Sequence, residues 1–138
     1  MRLPAPPILA PRDVIDGWRI EREIHGSPRS HIYLAVDTVT GEPAILKTPA
    51  IDRQDDTAYI ERFLMEEWVA RRVNSAHVLK PITHARERTS QYVVTEYIAG
   101  QTLAQWMIDH PRPDLETVRR IVEQVARGLQ AMHRMAPP

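Results

Sequence analysis

The run Trp18-Arg19-Ile20-Glu21-Arg22-Glu23-Ile24 alternates apolar and polar residues one by one. Successive side chains of a strand point to opposite faces, so this alternation describes a half-buried β-strand. The pattern constrains the fold because it recurs after short breaks. His25-Gly26-Ser27-Pro28-Arg29-Ser30 is turn chemistry. Ile32-Tyr33-Leu34-Ala35-Val36 supplies a second strand and closes a hairpin. Asp37-Thr38-Val39-Thr40-Gly41-Glu42 is a second turn, with Gly41 free to take positive φ, and Pro43 to Lys47 is a third strand.

Helical periodicity follows. The polar stretch from Asp52 to Asp56 can supply an N-cap, and a helix is expected from about Thr57 to Asn74. Its apolar residues lie at many angles round the axis, which predicts burial on more than one side. Val78-Leu79-Lys80-Pro81-Ile82-Thr83 reads as a short strand, Arg86 to Ser90 as a charged turn, and Gln91 to Ile98 as a strand rich in β-branched and aromatic residues. A short helix from Thr102 to Asp109 is broken by His110-Pro111-Arg112-Pro113. Asp114 can cap a last helix, with Glu116 favourable in its first turn. Along it Leu115, Val118, Ile121, Val122, Val125, Leu129 and Met132 form one apolar stripe. The front of the chain, residues 1–16, is proline-rich and reads as an extended linker, which suggests a further segment upstream in a longer parent.

Bulk properties narrow the function classes. With 138 residues the chain is one domain or part of one. A formal net charge of +0 gives no electrostatic reason to expect nucleic acid or an anionic membrane. The absence of cysteine excludes disulfides and zinc-thiolate sites and fits a reducing cytoplasm. Apolar runs are too short for a transmembrane helix. The six histidines show no ligand spacing and read as structural or solvated, and Trp106 reads as a core residue.

Three segments carry chemistry. Lys47 ends the strand Ala44-Ile45-Leu46-Lys47, where a lysine ordinarily snorkels. A Phe-x-x-Glu step, Phe63 to Glu66, lies in the long helix. Tyr92-Val93-Val94-Thr95-Glu96-Tyr97-Ile98-Ala99-Gly100 is a strand running into a glycine. In this order and at these distances they resemble the front half of a serine/threonine protein kinase domain. The resemblance covers Trp18 to about Arg134. It is nearest to the kinase-like halves of bacterial proteins that fuse a phosphatase to a kinase, through Ser30 to Asp37 and Glu67 to Arg72.

The resemblance implies an α+β fold: a kinase-like N-lobe with a five-stranded antiparallel sheet and one long helix over 17–98, then the hinge and the first two C-lobe helices over 99–138, truncated. It implies an ATP site in which Lys47 grips the α- and β-phosphates and Glu66 orients it, with Glu67 as the alternative partner. Thr95 would stand at the back of the adenine pocket, and Glu96, Tyr97 and Ile98 would form the hinge. Ile24 and Ile32 would flank the loop over the phosphates. The chain departs from the family at that loop, where His25, Ser27 and Ser30 replace its three glycines and Gly26 is one place out of register. Hydroxyls of Ser27 or Ser30 would then have to substitute for the lost amide contacts. Ile45, where the family usually has alanine, would narrow the adenine pocket.

The family's catalytic loop and its magnesium-binding Asp-Phe-Gly would follow residue 138. The resemblance therefore implies that this chain alone turns nothing over, and that its magnesium ligands lie beyond it. The partners implied are ATP and a protein substrate or regulator, with self-association through an exposed helix 115–132. A kinase-like interaction module that binds no nucleotide is the alternative.

Overall fold

A computed structural model describes residues 3–50, 56–83 and 86–135. Packing divides the chain into two compact units, one formed by Met1–Arg71 with Lys80–Tyr97 and the other by Arg72–Leu79 with Ile98–Pro138.

The first unit is built on a five-stranded antiparallel meander. Its strands are β1 (Val14–Ile15), β2 (Trp18–Gly26), β3 (Ser30–Asp37), β4 (Pro43–Pro49) and β5 (Val93–Glu96), with α1 (Thr57–Arg72) between β4 and β5. Register separates two faces. Ile20, Tyr33, Ala35, Ala44, Leu46 and Val94 form a buried core together with Ile15, Trp18 and Tyr92. Pairing of Ile32 with Lys47, Leu34 with Ile45, and Ile45 with Thr95 puts those five residues on the other face.

The sheet departs from the expected strands at two places. Val14–Ile15, assigned above to a linker, pairs with β2 through the two-residue turn Asp16-Gly17, in which both residues have positive φ. Residues ahead of it also lie against the unit: Ala5 is buried, the Leu9 N–H donates to the Tyr33 hydroxyl, and the Gln91 N–H donates to the Pro4 carbonyl. Val78 to Thr83 forms no strand. Pro81 makes an isolated bridge to Thr95, flanked by bonds from the Ile82 N–H to the Val94 carbonyl and from the Glu96 N–H to the Lys80 carbonyl. Proline has no N–H to continue a ladder, which accounts for the interruption.

Helix α1 is capped by Asp56, whose Oδ1 accepts from the Tyr59 N–H at 3.1 Å; the rest of the expected capping stretch lies outside the described residues. Tyr59, Ile60 and Phe63 are its buried residues, while Leu64 and Met65 are exposed. Full burial is confined to one face, while Glu67, Trp68, Val69 and Ala70 are half-buried round the axis near the end of the helix, so the expected burial on more than one side is met in part.

The second unit contains α2 (Leu103–Asp109) and α3 (Leu115–His133). Both helices begin where the sequence places them. Thr102 Oγ1 accepts from the Gln105 N–H, and Asp114 Oδ1 accepts from the Thr117 N–H at 2.9 Å. Hydrogen bonds from Thr117 hold the Asp114 carboxyl below the ordinary value of 3.8. Gly128 is buried, and a Cβ there would stand 3.0 Å from the His77 carbonyl oxygen, so α3 packs closely against 72–79 and a larger residue would need that backbone to give. Trp106 is half-buried and stacks on His110 with ring centroids 4.5 Å apart, so it is a surface pair instead of a core residue. Among the described residues no helix is long and apolar enough to cross a membrane.

Candidate functional site

Strand β4 presents Lys47 on the face opposite the core, and α1 runs beside it. Lys47 Nζ lies 2.8 Å from Glu66 Oε2 and 5.8 Å from the centre of the Phe63 ring. Phe63 is buried, so the pair rests on a fixed apolar floor. The lysine side chain is 29% exposed and the glutamate 61%, so this is an ion pair at the rim of a cleft.

The alternative partner is engaged elsewhere. Glu67 Oε1 and Oε2 accept from the two guanidinium nitrogens of Arg88 at 3.0 and 3.1 Å, and Arg71 also pairs with it. Arg88 further donates to the Tyr92 carbonyl at 2.9 Å and lies over the Tyr92 ring. Glu67 thus ties α1 to the segment before β5, and Glu66 is left to meet Lys47.

A cavity of about 340 Å³ opens at this pair. One wall is the β2–β3 hairpin, through Ser27, Arg29 and Ser30. The other is α1, through Tyr59, Arg62, Phe63 and Glu66, with Lys47 between them. The hairpin is closed on itself. The Ser27 N–H donates to the Ser30 carbonyl at 3.0 Å, and the N–H groups of Arg29 and Ser30 both donate to Ser27 Oγ at 3.2 Å. Ser27 Oγ also donates to the Ser30 carbonyl. Its hydroxyl therefore holds the turn together and is not free to replace a glycine amide; of the two hydroxyls named from sequence, only that of Ser30 is without a partner among the described residues.

The other candidate residues distribute as follows. Ile32, Ile45 and Thr95 share the sheet face of Lys47. Thr95 Oγ1 is buried on that face and has no hydrogen-bond partner among the described residues. A buried hydroxyl left unpaired is costly, so it marks a position that suits a polar ligand atom. Ile24 is exposed and falls in the register irregularity between Glu23 and His25. Glu96 ends β5, where its Oε1 accepts from the Lys80 N–H at 3.2 Å, and Tyr97 follows it as the last residue of the first unit. Ile98 begins the second unit and is exposed. Among the described residues no three His, Asp or Glu side chains stand together as a metal-ligand set.

Sequence reasoning missed Arg29 and Arg62. Both face the cavity, yet in the sequence each is one charge among many on polar segments, and no local signal sets it apart.

A five-stranded antiparallel sheet, a helix whose glutamate meets a β4 lysine, and a strand leading out to further helices define a protein-kinase N-lobe. Comparison with known proteins agrees: the protein kinase domain family matches residues 22–136, and the chain belongs to that family. Serine/threonine-protein kinase PrkC of Bacillus subtilis (strain 168) is 27% identical over 127 residues, covering 88% of this chain and 20% of PrkC. The serine/threonine-protein kinase drp72 of Corynebacterium efficiens is 29% identical over 116 residues, covering 80% of this chain and 22% of its own length. The chain thus spans about a fifth of the length of these relatives. Among solved structures, the Mycobacterium tuberculosis PknI kinase domain aligns with a TM-score of 0.73 at 24% identity, over 92% of this chain and 53% of that one, a likeness of fold.

Proposed function

We propose that the first unit binds ATP, and that the longer protein transfers its γ-phosphoryl group to serine or threonine of a protein substrate. The observation that carries this reading is the 2.8 Å pair of Lys47 and Glu66 at the mouth of a cavity. A lysine fixed by a carboxylate can present its ammonium to phosphate oxygens at a defined place. Thr95 fits the reading, since a nucleotide base on this face would sit near its unpaired hydroxyl. Ile32 and Ile45 would supply apolar contact to the base, and the backbone of Glu96 and Tyr97 its hydrogen bonds. Ile24 and Ser30 would lie at the phosphate side. ATP brings the transferable phosphoryl group; this chain's residues bind and orient it. The family match and the cysteine-free composition support a cytoplasmic setting.

A second reading, a kinase-like module that engages a protein and no nucleotide, draws on one observation. The amides of the β2–β3 turn are consumed internally, so the usual backbone grip on phosphate is lacking.

One experiment separates the two. Thermal unfolding of the 138-residue chain is followed with and without ATP and magnesium. Binding to the folded state raises the midpoint. The ATP reading expects a rise that Lys47→Met removes; no rise at millimolar ATP favours the second reading. Exposed ion pairs contribute only ~0–1 kcal/mol, so the substitution leaves the unliganded midpoint near that of the parent. Labelled-phosphate transfer by the chain alone is expected to match the Lys47→Met background.

A further inference from the structure

We propose that Arg29 and Arg62 grip the polyphosphate in this cavity, doing with two guanidinium groups what backbone amides of a glycine-rich turn would otherwise do. The inference rests on the nucleotide reading above and deepens it.

The argument begins with donors. A polyphosphate chain in a cleft needs several N–H or O–H groups aimed at its oxygens. In the β2–β3 turn the Ser27, Arg29 and Ser30 amides are all spent within the turn itself. Lys47 offers one ammonium, and Glu66 already takes part of it. Side chains must supply the remainder.

The charges lining the cavity are unbalanced in the required sense. Among the described residues that line it, Arg29, Lys47 and Arg62 are cationic and Glu66 is the one carboxylate. That carboxylate belongs to Lys47 at 2.8 Å. Among the described residues neither Arg29 nor Arg62 forms an ion pair or hydrogen bond through its side chain. Four other arginines of this unit are occupied, Arg19 by Glu21, Arg71 and Arg88 by Glu67, and Arg86 by Asp37, whereas Arg12 and Arg22, like Arg29 and Arg62, make no such pair among the described residues but do not line the cavity. Two arginines from different elements, both without a side-chain partner among the described residues, therefore line one cavity. Arg62 lies one helical turn before Glu66, on the same side of α1. Arg29 stands at the hairpin tip, with the open hydroxyl of Ser30 beside it. A guanidinium is always charged, is weakly hydrated and presents paired donors that match phosphate oxygens.

The test uses titration calorimetry on the 138-residue chain with adenosine, ATP and sodium tripolyphosphate as probes. Arg29→Gln, Arg62→Gln and the double variant are compared with the parent, with the two Arg→Lys variants alongside. Loss of a charge-assisted pair is expected to weaken ATP and tripolyphosphate binding roughly tenfold per arginine. Adenosine affinity should be unchanged, Arg→Lys should restore part of the loss, and the salt dependence should flatten in the double variant. Unliganded melting curves that match the parent show that the variants fold; a variant that fails to fold is replaced by Arg→Lys, whose partial loss then decides. If the double variant binds ATP as the parent does, this proposal is overturned and the nucleotide reading stands. If tripolyphosphate binding depends on the arginines but adenine adds nothing, the polyphosphate grip stands and the nucleotide reading falls. If the parent binds neither ATP nor tripolyphosphate, both fall.

Discussion

Asp37 shows how a single carboxylate can set the acid limit of the sheet. Its side chain closes β3 and is 3% exposed. It accepts from Arg86, from the Val39 N–H at 2.9 Å and from the Thr40 N–H. The Arg86 hydrogen bond, then the Val39 amide, bring its pKa from 3.8 down to about 2. The folded state thus binds fewer protons than the unfolded chain between those values. The stability this contributes is whole above about pH 4 and disappears as pH falls through about 2. Asp16 acts in the same sense. Burial pushes its carboxyl up, but the Thr89 N–H and the hydroxyls of Tyr92 and Thr89 outweigh that and leave it below the ordinary value. Arg86→Met keeps a side chain over the Trp18 ring, where the guanidinium now sits 5.0 Å from the centroid, and removes the charge. The variant is expected to have a lower urea midpoint at pH 7 and a shallower decline between pH 4 and pH 2 than the parent. Part of the decline should remain, because Asp16 is untouched. Equal slopes in the two proteins would show that Arg86 does not set the titration of Asp37.

At the scale of elements, the β1–β2 turn is the sharpest test of what local sequence dictates. Asp16 and Gly17 have φ of 50° and 87°, the geometry of a two-residue hairpin turn that Asp-Gly favours. Gly17 is further confined, since a Cβ there would stand 2.9 Å from Arg86 Nη1. Gly41 has φ of 77° but open space around it. Gly41→Ala is therefore expected to cost the left-handed strain alone, ~1–2 kcal/mol. Gly17→Ala should cost more, because Arg86 must also shift, and urea midpoints of the two variants read the difference. The Asp-Gly pair was legible in the sequence, yet the prolines before it and the two-residue length of β1 drew that segment into a linker. Val78 to Thr83 misled in the opposite way, since its composition suits a strand while Pro81 breaks the ladder. The long alternating strands and the cap at Asp114 were read correctly because period and cap chemistry are local. The approach of Lys47 to Glu66 could be placed by spacing once the strands and helix were in place. Closure of the hairpin by Ser27 Oγ was not legible because it depends on one rotamer in the turn, nor was the placing of Arg29 and Arg62 on one cavity, which depends on where separate elements meet.

For the whole molecule, the consequence with most weight lies on α3. The helix is secured locally: Asp114 caps it, and Arg119 reaches Glu123 at 3.1 Å on its polar side. Its apolar stripe is another matter. Leu115, Val118, Val122, Val125, Leu129 and Met132 are all exposed, Leu115 at 84% and Val122 at 59%. Removing one such side chain from water is worth ~1.5–3 kcal/mol when burial is complete. Several on one helix face make a contiguous apolar stripe, the kind of surface that favours association. The 138-residue chain is therefore expected to self-associate at tens of micromolar through this face, with α3 of one copy against α3 of another. A pair of like helices would also place the polar edges, with their Arg119 and Glu123 charges, outward in water. Sedimentation over a dilution series should show mass falling with concentration in the parent. Val122→Lys with Leu129→Lys should yield a monomer of unchanged helix content, since neither side chain is buried. A parent chain that sediments as a monomer throughout, or a double variant that associates as strongly, would mean that the stripe does not drive assembly.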